Sequence, residues 1–226
     1  MLNHNLLRAI SGGGGGGGGV FSCTFTESDV DTSNTDVYTF SGKDFGDAAT
    51  DRYIVVTTGA PASAQTLSSV TIGGVAATIV VQDDDDASAG IAIAAVPTGT
   101  TGDIVVTWSG SMFSCGIGVY RLTGLQSATA SATASDVTIT SDAVEASLEI
   151  PAGGCGIGYV YWLSSGTATR TASWTNLTEN FDELTEGGTF DEMHSGAMST
   201  TAGTSSRKAT ASGGILKAVL VLASWR

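Results

Sequence analysis

Positive charge is scarce in this sequence. Nine Lys and Arg stand against 22 Asp and Glu in 226 residues, a formal net charge of −13. A nucleic-acid binder needs a positive footprint on the phosphate backbone, and a protein held to an anionic membrane needs one against the headgroups, so neither partner is expected. Cysteine is also rare. Cys23, Cys115 and Cys155 are too few for a complete disulfide framework and lack the CxxC spacing of a zinc site, so they read as buried free thiols. Aromatic residues make up 7% of the chain, which leaves the core mainly aliphatic. No stretch reaches the roughly 18 apolar residues of a membrane span, and the opening MLNHNLLRAI has too short an apolar run for a signal peptide. A soluble product made in the cytoplasm is expected. Disorder is excluded as well, because only 14% of residues are charged and the mean hydropathy is +0.20.

What the chain does have is small side chains, including 31 glycines. Residues 1–10 place Leu2, Leu6, Leu7 and Ile10 at helix-like spacing, although ten residues are too few to hold a helix alone in water. After Ser11 come Gly12, Gly13, Gly14, Gly15, Gly16, Gly17, Gly18 and Gly19. Eight glycines have nothing to bury and much backbone entropy to lose, so they read as a tether with a reach of about 28 Å and a typical span of about 16 Å. An apolar peptide beyond a tether reads as an anchor for another protein. The expected organisation is an anchor over 1–11, a tether over 12–19 and a single β-sandwich domain over 20–226.

From Val20 onward the pattern is strand after strand. Phe21, Cys23 and Phe25 alternate with Ser22, Thr24 and Thr26, the period-two signature of a half-buried strand. Further strands are expected over 51–58, 70–72, 75–82, 90–96, 103–108, 115–122, 137–140, 146–150, 154–163, 168–174 and 215–225. Gly73-Gly74 between two such runs signals a two-residue hairpin, since both positions accept positive φ. Short strands at roughly ten-residue spacing with Gly-rich turns imply an all-β protein, an antiparallel sandwich of the jelly-roll or immunoglobulin-like kind, with a closed barrel as the alternative. The last run, ILKAVLVLASW, is apolar on both faces, which fits a central strand or one covered by a partner subunit. CGIG occurs twice, at 115–118 and 155–158, either as a trace of duplication or as convergence on one strand pattern. In both copies the glycines leave one face bare, so a bulky group is expected across it.

Candidate chemistry is sparse. His194 is the only histidine beyond the leading peptide, and its neighbours Asp191, Glu192 and Ser195 lie on a segment where consecutive residues face opposite ways, so they do not read as a triad. Asp83, Asp84, Asp85 and Asp86 could attract calcium but read first as a solvated turn, and no metal or other cofactor is expected. Glu179, Asp182, Glu183, Glu186, Asp191 and Glu192 read as a solvated acidic loop in preference to a glycosidase pair. Trp162 and Trp174 are possible sugar-stacking platforms but, like Trp108, read first as core anchors in a domain with so few aromatics.

The segments TFSGKDFGDAATDRYIVVTTGA, SSVTIGGVAATIVVQ, AGIAIAAVPTGTTGDIVVTWSG and GIGVYRLTG resemble a group of β-sandwich structural proteins of tailed bacteriophages and prophages, over roughly residues 38–125. The resemblance implies a virion component without catalytic residues: a capsid decoration, head-fibre or tail-fibre module. The partners expected are other virion proteins bound through residues 1–11, and further copies of the chain, a trimer by analogy. A host-surface glycan is the alternative partner, bound near Trp162, Trp174 and the acidic segment. The expected location is the virion, after synthesis in the host cytoplasm.

Overall fold

The structure is a computed structural model that describes residues 20–61, 65–85, 87–165, 171–186, 190–211 and 215–226. The anchor positions Leu2, Leu6, Leu7 and Ile10 and the tether Gly12 to Gly19 lie outside the described residues. Among the described residues there is no helix. The first half contributes β1 (Ser22–Asp31), β2 (Thr35–Asp44), β3 (Tyr53–Ala60), β4 (Leu67–Ile72), β5 (Val75–Ala76), β6 (Thr78–Asp83), β7 (Ser88–Ala95), β8 (Thr101–Met112) and β9 (Cys115–Thr123). The second contributes β10 (Ala132–Thr138), β11 (Ala143–Ile150), β12 (Cys155–Ser165), β13 (Ala172–Thr175), β14 (Thr178–Glu186), β15 (Phe190–Ser199), β16 (Gly203–Ala211) and β17 (Ile215–Trp225).

Pairing in the first half is nested: β1 with β9, β2 with β8, β3 with β7 and β4 with β5. Such a chain is one long antiparallel hairpin, and pairing β3 with β9 and β4 with β8 rolls it into two facing sheets. The result is an inner sheet β1-β9-β3-β7-β6 against an outer sheet β2-β8-β4-β5, a jelly-roll arrangement. The second half repeats it, with an inner sheet β10-β17-β12-β15-β14 against an outer sheet β11-β16-β13. Substituting β10 for β1, β17 for β9, β12 for β3, β15 for β7 and β14 for β6 converts one inner sheet order into the other.

Where the sequence implies one sandwich over 20–226, the strands therefore build two. They stand back to back, so four sheets enclose three cores. The first core fills the first sandwich with Tyr38, Ile54, Val56, Ile72, Ile104 and Trp108. The third fills the second sandwich with Val160, Trp162, Leu220 and Leu222. Between the inner sheets lies a seam of Val55, Ile91, Tyr120, Ile157, Tyr159, Val221 and Trp225. Strand β3 lies against β12, β1 against β14 and β10 against β6, as a pseudo-twofold axis through the seam requires.

The CGIG echo falls on β9 and β12, which are not equivalent under this symmetry. It is convergence, and the repeat resides in the topology. The expected Gly73-Gly74 hairpin is present, with φ of 58° and 78° and Ile72 opposite Val75. Strand β17 is central, between β10 and β12, and its two apolar faces enter the seam and the third core. The segment read as a solvated acidic loop is instead the β14–β15 hairpin pair. Phe181, Leu184 and Met193 bind it to the cores, while Asp182, Glu183 and Glu192 find the partners described below.

Candidate functional site

The seam holds a buried histidine and three buried tyrosine hydroxyls, and the alternation of each strand decides what enters it. On β9, Cys115, Ile117 and Val119 point into the first sandwich, so Gly116 and Gly118 face the second. The bulky groups expected over this bare face are His194 and Phe181. A methyl built on Gly118 would come within 2.5 Å of Phe181, one on Gly59 within 2.5 Å of Tyr159, and one on Gly116 would strike His194. The glycines of β12 face the other way, under Leu148 and Ile150 at Gly156 and under Leu177 and Trp174 at Gly158.

His194 is fully buried, with Nδ1 2.6 Å from the Tyr159 hydroxyl and its ring 5.2 Å from that of Tyr161. Burial brings its pKa down to about 3, so the imidazole is neutral at physiological pH. With one ring proton, Nδ1 and the phenol form a single donor–acceptor pair. Nε2 and the Tyr161 and Tyr120 hydroxyls have no hydrogen-bond partner among the described residues. Burial also raises the Tyr159 and Tyr161 hydroxyls well above the usual phenol range, which keeps both rings neutral.

Acidic side chains stitch the rim of the seam. Ser28 Oγ on β1 donates to Glu183 Oε1 on β14 at 2.7 Å, and Ser114 Oγ, between β8 and β9, donates to Glu192 on β15. Burial raises the Glu192 carboxyl above its ordinary value, with the Ser114 and Thr185 hydroxyls opposing the shift. Asp182 Oδ2 accepts the Ala172 amide at 2.8 Å on the other face of the sheet, where it fixes the start of β13. Asp191 is buried, its carbonyl accepts Ser164 Oγ at 3.1 Å, and its carboxylate oxygens have no partner among the described residues.

The neighbours of His194 are dispersed as strand alternation requires. Ser195 faces away from the seam and accepts a hydrogen bond from Trp174 Nε1 at 2.9 Å. Trp162 is fully buried in the third core, as an anchor would be, and the alternative that it stacks on a sugar is corrected, because no face of its ring is open to a ligand. Trp174 is half-buried beside the same core, and Trp108 is buried in the first. In the aspartate run, the Asp85 amide donates to Asp83 Oδ1 at 3.3 Å, as in a turn, while Asp86 lies outside the described residues. No group of three or more His, Cys, Asp or Glu arranged to hold a metal occurs among the described residues.

Two features escaped sequence reasoning. Arg52 is 1% exposed, and its guanidinium donates to five carbonyls: Val96 at 2.6 Å, Gly99 at 2.7 Å, Gly46 at 2.8 Å, Thr98 at 2.9 Å and Phe45 at 3.3 Å. It thereby ties the loops flanking β3 and β8 with every donor it has. The second is the approach of Cys23 to Cys155 across the seam. Local patterning reveals neither, since the partners are distant in sequence. A surface cleft of about 550 Å³ runs between the sandwiches along Tyr53, Ile79, Ile93, Ala128 and Thr133.

No protein-family model, curated protein or solved structure matches this chain.

Proposed function

We propose that the protein is a structural component of a bacteriophage virion, a surface decoration or fibre module moored to the capsid or tail through residues 1–11. One observation carries the reading. Two jelly rolls close on each other through a glycine-fitted seam, and Val20, where the described residues begin, is 93% exposed. A closed block whose first described residue is exposed suits display at the end of a tether. Jelly rolls serve in viral capsids and in lectins alike, so the fold adds support by analogy. The outer sheets present Ser-, Thr- and Glu-bearing strands such as β11 and β16, a hydrated exterior for a protein in multiple copies on a particle. A homo-oligomer, with a trimer as the leading arrangement, belongs to the same proposal.

Truncation tests it. A chain lacking residues 1–11 should show the far-ultraviolet spectrum and thermal transition of the full chain, yet be missing from particles assembled in its presence. Normal incorporation of the truncated chain would overturn the reading.

A further inference from the structure

Cys23 lies near the start of β1 and Cys155 opens β12, so the two thiols belong to different sandwiches. Both enter the seam: Cys155 is fully buried there, and Cys23, half-buried, packs against the same core. The neighbouring Cys155 thiol, together with burial, pushes the Cys23 thiol well above its ordinary range. A surface cleft of about 320 Å³, lined by Phe21, Ser22, Cys23, Gly153, Gly154 and Thr200, opens on Cys23 and on the residue preceding Cys155. Cys115 is remote from this pair in the fold, buried in the first core with its sulfur 3.2 Å from Thr58 Oγ1.

We propose that Cys23 and Cys155 form an oxidation site that closes to a disulfide and staples the first sandwich to the second. The oxidant is a small disulfide of the glutathione class, admitted by the cleft. The Cys23 thiolate attacks one sulfur of the oxidant, whose S–S bond breaks and releases one small thiol. Cys155, as thiolate, then displaces the second small thiol from the mixed disulfide. The protein thiols lose two protons and two electrons, and the oxidant leaves as two thiols. Because Cys23 resists ionisation, closure is slow at neutral pH and faster as the pH rises. The bond closes the chain from residue 23 to residue 155, a loop long enough to raise the Tm by about 10 °C.

The test uses the purified full chain incubated with oxidised glutathione at mildly alkaline pH, then denatured and alkylated. The expected product has lost two hydrogens, offers one alkylatable thiol of the original three, and yields a cross-linked Cys23–Cys155 peptide. Its raised Tm returns to the starting value with dithiothreitol. Cys115→Ser should close as the wild type does, and Cys23→Ser and Cys155→Ser should not; if either fails to fold, the wild-type peptide map decides. Three alkylatable thiols, a glutathione adduct that persists on Cys23, or a disulfide involving Cys115 would each overturn the proposal.

Discussion

Acid should weaken this protein through His194. In the unfolded chain the imidazole titrates at its ordinary value of 6.5, whereas in the seam it titrates at about 3. Between those values the unfolded state holds a proton that the folded state does not, so stability is complete above 6.5 and falls as the pH falls. The slope is about 1.4 kcal/mol per pH unit. About 2 kcal/mol is lost by pH 5, and about 5 kcal/mol once the pH is below 3. Glu192, on the same strand, opposes this. Its carboxyl is raised in the fold, so stability is gained as the pH falls through that raised value to the ordinary 4.5. Glu179 has the same sign. Comparison with His194→Leu separates the contributions, because the carboxyls remain in both proteins. The variant leaves the Tyr159 hydroxyl unpaired, a cost of about 1–3 kcal/mol that does not vary over this pH range. Denaturant unfolding at pH 7, 6 and 5, followed by tryptophan fluorescence, should therefore show the wild type losing about 2 kcal/mol relative to His194→Leu. Parallel losses in the two proteins, or a folded-state imidazole titrating near 6.5 by NMR, would refute the reasoning.

Two further substitutions examine other joints of the fold. Arg52→Ala removes the donors from five carbonyls and should destabilise the protein by about 4 kcal/mol, read as a lower denaturant midpoint; a loss under about 1 kcal/mol would mean that water replaces the guanidinium. Gly116→Ala drives a methyl into His194 and should cost about 2 kcal/mol by thermal or chemical unfolding, with an unchanged midpoint showing that the inner sheets part easily at that point.

Local periodicity carried much of the fold. The alternation in β1, the apolar runs of β3, β7, β9, β12 and β17 and the Gly73-Gly74 turn are all legible residue by residue, because each depends on nearest neighbours along the chain. Strands β2, β14, β15 and β16 were harder to see. They hold Asp, Glu, Lys, Ser and Thr, and hydrogen bonds that make such residues tolerable come from distant segments, as Ser28 shows for Glu183 and Ser114 for Glu192. The repeat was hidden for a different reason. Nested pairing constrains where strands lie but not which apolar side chains fill them, so YIVVTTGA and CGIGYVYWLSS can occupy equivalent places. The one visible echo joined strands that symmetry does not relate. Of the candidate site, the bare glycine faces were readable, while the identity of the groups covering them depends on the pairing of the two halves.

The seam explains why the two jelly rolls behave as one body. A sheet covered on one side alternates apolar and polar residues, but β3, β7, β12 and β17 are buried on both sides. Separated from its partner, the first sandwich would present Val55, Ile91, Ile93, Tyr120 and Leu122 to water, beside the empty sockets of Gly59, Gly116 and Gly118. The second would expose Ile157, Tyr159, Tyr161, Val221 and Trp225, and with them the neutral imidazole of His194. At about 25 cal/mol per Å² of apolar surface, that exposure outweighs the marginal stability of a domain of half this length. The polar groups at the join add direction to this attraction. Apolar sheets alone can slide or rotate on one another, but His194 fits where Gly116 leaves room, and Glu183 and Glu192 accept the hydroxyls of Ser28 and Ser114 from the other half. Hydrophobic burial holds the halves together, and the buried histidine, tyrosines and rim carboxylates determine a single orientation in which they meet.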